Sequence, residues 1–522
     1  MEKSLVSEVL GNRFLLVSLA AYLVVFLLFF PSFYTSTDEH EVLKGAIGYA
    51  NLDIFEEKEE FACGSGQYSE SGDGFVPRSF FMRPLSIVPF LPLGLGGVML
   101  SGLVIHLANF FLLAAIFRKL KINPGFLALY LFFPTFVWAS RTLFAELLVG
   151  TLLLIGFYFY ISKNDSPLGP FNRQMFLSGL GFGLAFLTRF DSGLAFMAFL
   201  VPLAYRSWKE KKFRKLVSFI APFALAIAFF LLFNSLVFGD ALRSAYGDSL
   251  ARASGISLET GSVFTGWVDD LLFEPVLFAG LLLLFYPLMV LSPFLRKRTS
   301  ENVYRFEFLL LILSYLFIAA KFGDLPSVSL SVSFLSSLLI GSMRYLIPLA
   351  VLLVIPYSAW LQGLMEKRGF SGEKFFYVAL AFLVASALMF SYMHSSILDN
   401  RYATFDAIHG NVPGGSLVIG SSDDCIYFQK NLFPDVAYLR VREPENGAGH
   451  ASFLAHAKSL GYAETYVVSL SYSYRQGRDS GRQGIVDAER QILREFIEAN
   501  GANLELVHTT DSPNPIDIYR VK

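Results

Sequence analysis

The stretch FLLVSLAAYLVVFLLFFPSF, Phe14–Phe33, decides the fold class. It carries no charge and is as long as the roughly 20 residues that cross a bilayer core. No small-residue cleavage site follows, so it reads as a retained helix and not a signal peptide. Working outward, further apolar runs lie near 84–117, 124–138, 143–162, 175–188, 192–205, 216–238, 271–294, 305–320, 344–362 and 375–394. With the first, they predict about eleven spans. The runs 124–138, 175–188 and 192–205 are short for a full crossing and predict helices that end inside the protein, beside a cavity. Composition agrees. Of 522 residues, 54% are hydrophobic and 16% charged, with mean hydropathy +0.52. Soluble domains carry about 25% charged residues, so a soluble globular enzyme and a disordered chain are both excluded. The 42 Lys+Arg and 43 Asp+Glu nearly cancel, so the chain lacks the basic excess of a nucleic-acid binder. Two cysteines, Cys63 and Cys425, exclude a disulfide-rich scaffold and a cysteine-rich metal cluster.

Charge placement orients the spans. With a cytoplasmic N-terminus, segments 1–13, 118–123, 161–174, 205–215, 296–305 and 363–374 face the cytoplasm and hold 20 Lys+Arg, against 10 in the much longer external loops. This asymmetry is the positive-inside pattern. An odd number of spans then puts the C-terminal part outside, in a multi-pass plasma-membrane protein. The sequon Asn164-Asp165-Ser166 falls in a cytoplasmic loop and reads as chance.

Composition changes near residue 395. Residues 1–395 read as an all-α polytopic membrane domain with an external loop at 34–83. Residues 396–522 read as a small soluble α/β domain outside the membrane. Strand-like runs occur at Ser416–Ile419, Val436–Val441, Thr465–Leu470, Leu504–His508 and Ile516–Val521, with a clear helical run at Ile485–Ala499. Strands alternating with helices predict a mostly parallel sheet, ending in a hairpin at Ser512-Pro513-Asn514-Pro515. No G-x-G-x-x-G, P-loop or internal repeat is found, and the last absence weighs against an inverted-repeat transporter.

The first external loop is acidic, with ten carboxylates against Lys44, Lys58, Arg78 and Arg83. Ser36-Thr37-Asp38-Glu39-His40-Glu41 follows directly on the first span. Ser36-x-x-Glu39 fits a capping box, and Val42, Leu43, Ala46 and Ile47 repeat at helical spacing. Residues 37–51 therefore predict an amphipathic helix lying on the membrane surface. A carboxylate pair there is also able to hold a divalent cation or act as a general base, although spacing alone favours the cap. The run Glu56-Glu57-Lys58-Glu59-Glu60 reads as a solvated face.

Other charges interrupt apolar sequence: Arg141 and Glu146, Arg189 and Asp191, and Arg344 beside Tyr345. A charge at a helix centre costs roughly 2.5–3.5 kcal/mol on insertion scales. All of these map to external span ends, where the bland reading is snorkelling or structural pairing. That reading covers Arg141 and Asp191. Glu146 sits one turn inside its helix and is harder to excuse. Asp38, Glu39, Arg83, Glu146, Arg189 and Arg344 are thus candidates to converge on one external cavity, and carboxylates with arginines suit a phosphate-bearing lipid and acid–base chemistry. His106 and His394 are isolated and read as packed side chains. Cys63 and Cys425 share the predicted external side, which allows a disulfide without requiring one.

These residues resemble the GT-C superfamily of polytopic glycosyltransferases, with protein O-mannosyltransferases and aminoarabinose lipid A transferases as nearest relatives. The matching features are Asp38-Glu39-His40 after the first span, Arg83-Pro84-Leu85, Arg141…Glu146, Gly181-Phe182-Gly183-Leu184-Ala185-Phe186-Leu187-Thr188-Arg189, and Arg344-Tyr345-Leu346-Ile347-Pro348. The resemblance covers roughly residues 10–395. It implies a GT-C-like fold and inverting transfer of a sugar from a polyprenyl-phosphate carrier to an acceptor hydroxyl on the outer face. It further implies catalytic roles for Asp38, Glu39 and Glu146, Asp38 as base, and substrate binding by Arg83, Arg141, Arg189, Arg344 and Tyr345. Glu146 stands where many relatives have Asp. The implied partners are the lipid-linked donor, a protein, lipid or glycan acceptor, and membrane lipid. No cofactor is fixed; Asp38 and Glu146 are the candidates for a divalent cation. Two other classes share the charges: a transporter or flippase of lipid-linked or small anionic substrates, and a non-catalytic receptor or scaffold.

Overall fold

The structure, a computed structural model, describes residues 11–34, 36–52, 68–71, 74–77, 81–162, 167–168, 171–241, 289–295, 304–322, 343–368, 372–421, 436–441, 450–470, 480–510 and 516–522. Cys63, Cys425, the sequon at Asn164, the acidic run 56–60, most of the expected span 271–294 and the turn 512–515 lie outside them.

Helix α1, Arg13–Leu28, starts at Asn12, whose side-chain oxygen accepts the Leu15 amide at 3.2 Å. Helix α2, Thr37–Asn51, starts at Ser36, whose Oγ accepts the Glu39 amide at 3.3 Å. Asp38 and Glu39 lie in its first turn, where the helix dipole favours carboxylates. A short hairpin, β1 (Tyr68–Ser71) and β2 (Gly74–Pro77), precedes α3, Met82–Ile87, which leads through a 3-10 turn into α4, Gly94–Leu120. The expected run 124–138 is broken into α5, Leu127–Phe132, and α6, Pro134–Ala139. Pro134 has no amide to continue the ladder, so the chain turns there.

Helix α7, Glu146–Tyr160, and α8, Arg173–Thr188, flank the strand pair β3 (Pro167–Leu168) and β4 (Phe171–Asn172). Then come α9, Gly193–Glu210, and α10, Phe213–Phe238. Helix α8 touches its neighbours through glycines. A Cβ on Gly179 would lie 2.0 Å from the Phe219 carbonyl oxygen of α10, and one on Gly181 would lie 2.7 Å from the Gly156 amide of α7. Small residues two apart thus serve two opposite faces, as close helix packing in membranes requires. The membrane part ends with α11 (Ser292–Leu295), α12 (Arg305–Phe322), α13 (Ile347–Arg368) and α14 (Gly372–Asn411). Residue 395, the expected domain boundary, lies inside α14, which continues unbroken to Asn411.

Among the described residues, four helices are long and apolar enough to cross a membrane: Met82–Leu120, Phe213–Phe238, Arg344–Lys367 and Phe376–Asn411. Arg13–Leu28 and Glu146–Tyr160 are apolar and shorter. Their outer faces are greasy: Leu28 of α1, Leu236 of α10, and Val378 and Phe382 of α14 are all about two-thirds exposed or more. So much exposed hydrocarbon belongs against lipid, not water.

Five strands form one sheet in the order β6-β5-β7-β9-β8. They are β5 (Leu417–Gly420), β6 (Ala437–Arg440), β7 (Thr465–Leu470), β8 (Leu504–Thr510) and β9 (Ile516–Val521). β5 pairs parallel with β6 and β7, and β9 pairs antiparallel with β7 and β8. Side chains alternate between faces, as the pleat dictates. Leu417, Ile419 and Val467 join Leu454 of α15 (His450–Ser459) and Phe496 of α16 (Ser480–Ala499). Val418, Tyr466, Val468 and Ile518 join the other core, with Val42, Leu43, Ala46 and Ile47 of α2 and with Leu143. The apolar face of α2 is therefore turned into protein, against α3 and the 3-10 turn that follows it, and not down onto a membrane surface.

Candidate active site

Four segments from distant parts of the sequence bring charges to one end of the bundle. Asp38 comes from the first turn of α2, and Glu146 is the first residue of α7. Arg189 and Asp191 lie in the tight turn between α8 and α9, where two short spans meet. Arg344 and Tyr345 lie in the 3-10 turn, Met343–Leu346, that precedes α13.

They form an alternating chain. Asp38 Oδ2 accepts from Arg344 Nη1 at 2.7 Å, and Arg344 Nε lies 3.9 Å from Glu146 Oε1. Glu146 Oε1 accepts from Arg189 Nη1 at 2.5 Å. Arg189 then grips Asp191 with two bonds, 3.2 and 2.8 Å. Aromatic rings back the guanidiniums: Tyr345 lies 4.6 Å from Arg189 and 5.0 Å from Arg344, and Phe144 lies 4.8 Å from Arg344. The Tyr345 hydroxyl accepts from Arg344 Nη2 at 3.0 Å. Burial is graded along the chain. Glu146 is 3% exposed at its side chain, Arg344 15%, and Asp38 57%. The inner carboxylate is thus dry and the outer one wet. Among the described residues, Glu146 Oε2 and Arg344 Nε are buried without a hydrogen-bond partner.

Glu39 and Arg83 stand one layer behind. Glu39 Oε1 accepts the Leu143 amide at 2.8 Å, while Arg83 Nε donates to the Leu143 carbonyl at 2.9 Å. Arg83 also reaches the Thr142 carbonyl and the Ser86 and Ser101 hydroxyls. The two charges hold the amide and the carbonyl of one residue, Leu143, three before Glu146. Arg141 points elsewhere. It donates to the Phe29 and Ser391 carbonyls and to Ser395 Oγ, tying the end of α1 to α14. His40 is buried with Nδ1 3.0 Å from the Tyr34 hydroxyl. Burial, and then the charge of Lys44, hold it well below the usual imidazole range, so it stays neutral. His106 is stacked between Tyr22 and Tyr130, a packed side chain.

Two members of the cluster are not on the expected list. Asp191, expected to snorkel or to form a structural pair, does the second and anchors Arg189. Tyr315, from α12, interacts electrostatically with Asp191, Arg189 and Glu146, and its buried hydroxyl has no partner among the described residues. Tyr315 gives no sequence signal, being one aromatic in an aromatic-rich helix.

Asp38 and Glu146 are the candidate cation ligands. No group of three or more His, Cys, Asp or Glu side chains able to hold one occurs among the described residues. Asp38 and Glu146 each face a guanidinium instead. What the arrangement offers is a pair of cations able to bear an anion, beside a carboxylate that reaches solvent.

Two solved structures share this fold. ArnT from Cupriavidus metallidurans bound to undecaprenyl phosphate aligns at TM-score 0.52 and 12% identity, over 96% of this chain and 97% of that one. ArnT from the same organism in the apo state aligns at TM-score 0.50 and 12% identity, over 97% of each chain. The likeness shows that the fold of these ArnT structures runs through nearly the whole chain. No family model and no curated protein sequence matches it.

Proposed function

We propose that this protein is a membrane glycosyltransferase that moves a sugar from a polyprenyl-phosphate carrier to an acceptor hydroxyl on the extracytoplasmic face. The observation that carries this reading is the chain Asp38–Arg344–Glu146–Arg189–Asp191, in which two arginines share a buried carboxylate and one of them reaches a half-exposed carboxylate at one end of an apolar bundle. The shared fold with a protein that binds undecaprenyl phosphate supports the donor class.

The geometry gives each group a task. The carrier phosphate docks against Arg344, with Arg189 adding charge behind it. Arg344 is held by Asp38 in the free protein. An incoming phosphate competes for the same guanidinium and releases the carboxylate toward the acceptor. Asp38 then takes the proton of the acceptor hydroxyl as its oxygen attacks the anomeric carbon. The bond from that carbon to the phosphate oxygen breaks on the opposite face, inverting the centre. The electron pair leaves on the phosphate, a fair leaving group whose charge the arginines already bear. Glu146 fixes both arginines. Glu39 and Arg83 hold the backbone that sets the start of α7.

The test is incubation of the purified full chain with polyprenyl-phosphate sugars, followed by mass spectrometry of lipid and sugar. Release of free polyprenyl phosphate supports transfer or its hydrolytic side reaction. Donor that binds and is recovered intact contradicts the enzyme and favours the transporter reading.

A further inference from the structure

A second charged site lies at the other end of the bundle, independent of the proposed transfer. Helix α7 begins at Glu146 in the cluster and ends at Tyr160, about 21 Å away at 1.5 Å per residue. There a cavity of about 270 Å³ opens, lined by Tyr160, Ser162, Arg206, Lys212, Lys215 and Tyr304 among others. Arg206 is anchored from behind. Its Nη2 donates to the Tyr160 hydroxyl and, at 2.7 Å, to Glu307 Oε1. Glu307 is 1% exposed at its side chain, and Arg206 is 31% exposed. Among the described residues, only Nη2 of Arg206 has hydrogen-bond partners, so Nη1 and Nε remain to serve a ligand. A guanidinium fixed on one nitrogen by a buried carboxylate holds its charge and its other donors in place at the cavity wall, where an anion can accept from them. Lys212 and Lys215 add charge, partly offset by Glu210, which pairs with Lys212 at 3.0 Å. Beside it lies a second, apolar cavity lined by Leu120, Phe157, Phe308 and Ile355, which shares Tyr304 as a wall.

We infer that this cavity binds a phosphate group, such as the headgroup of an anionic phospholipid, at the end of the bundle opposite the Asp38–Arg344 cluster. Arg206 takes the phosphate oxygens, Lys215 and Lys212 the remaining charge, and the hydroxyls of Tyr304 and Ser162 complete the lining. A hydrocarbon tail has the adjoining apolar cavity to enter.

Native mass spectrometry of the full chain in neutral detergent tests this, with phosphatidylglycerol, phosphatidylcholine and inorganic phosphate as probes. The expected result is one retained phosphatidylglycerol, displaced by millimolar phosphate, with phosphatidylcholine bound more weakly. Losing a charged hydrogen bond should weaken retention about tenfold in Lys215→Ser and in the double variant Arg206→Gln/Glu307→Gln. The double variant removes both charges together and leaves no orphan carboxylate, and Lys215→Ser, at a half-buried position, spares the Arg206–Glu307 pair. Arg344→Gln, in the other cluster, should leave retention unchanged. Phosphate binding without lipid retention, lost in the same variants, supports the site with a free anion as its ligand. Equal retention of all probes, or retention unchanged in both Arg206→Gln/Glu307→Gln and Lys215→Ser, overturns it.

Discussion

Asp38 and Arg344 are the residues on which the proposed chemistry turns. Asp38→Asn keeps volume and still fills the first helical turn, but an amide takes no proton at neutral pH. Transfer should fall by about 10²–10⁴, the usual loss for a general base. Donor binding should persist or tighten, because the substitution releases Arg344 from its ion pair. Measuring lipid-phosphate affinity and transfer on the same preparation checks both halves; near-normal transfer would move the base to another carboxylate. The two arginines should behave differently. Arg344→Gln costs an exposed partner, Asp38, while Glu146 keeps Arg189, so the protein should fold and lose donor affinity. Arg189→Gln leaves Glu146 and Asp191, both nearly buried, without their shared cation. Orphaning buried carboxylates costs about 3–5 kcal/mol, so thermal melting should show a large loss before donor binding is reached. Equal melting temperatures for the two variants would contradict this division. Asp38, Glu146, Arg189 and Arg344 were legible in the sequence because charge beside apolar spans is expensive and needs a partner. Glu39 and Arg83 gave the same signal for another reason. Their partner is the backbone of Leu143, and sequence does not say whether a charge is satisfied by a side chain or by backbone.

The element that sets the cluster is the loop from Ser140 to Ala145, held at Leu143. Its amide goes to Glu39 of α2 and its carbonyl to Arg83 of α3, so two helices that follow α1 fix where α7 begins. Glu39 is then a positioning residue. Glu39→Gln retains an acceptor oxygen for the Leu143 amide and should keep most transfer activity with an unchanged pH profile. Glu39→Ala orphans a buried amide, at about 1–3 kcal/mol, and should lower both melting temperature and turnover. If Glu39→Gln is as inactive as Asp38→Asn, Glu39 belongs to the chemistry itself. Helix α8 offers a second check. Gly179→Ala places a methyl on the Phe219 carbonyl and must push α8 off α10, moving Arg189 with it. Folding yield and donor affinity should both drop. The helices themselves were readable from apolar runs; the break at Pro134 was not, because the run 124–138 is apolar on both sides of it. The burial of α2 was not, because amphipathic periodicity gives the apolar face without naming what covers it.

Across the whole molecule, the helices alternate in direction and sort the charges. Helix α7 runs from the Glu146 end to Tyr160, α8 returns to Arg189, and α9 leaves again for Glu210. The α9–α10 turn at Lys211 therefore lies at the end opposite the cluster, with Lys119 bonded to Ser162 and the Tyr158 carbonyl nearby. The sheet lies at the cluster end, since Val418, Val468 and Ile518 share a core with α2 and Leu143. This separation follows from packing and owes nothing to counting spans, which is the part of the topology that short and broken helices make hardest to read. Which end faces which side is a separate question, on which the positive-inside bias predicts a cytoplasmic Lys211 end. Cysteines placed at the exposed Lys211 and Glu498, in a chain with Cys63 and Cys425 changed to Ser, give the decisive measurement. In intact cells an impermeant maleimide should label Glu498→Cys alone, and Lys211→Cys only after permeabilisation. The reverse pattern would put the Asp38–Arg344 cluster on the cytoplasmic face and the Arg206 cavity outside. Labelling of both positions in intact cells would mean that the bundle between them does not span the membrane.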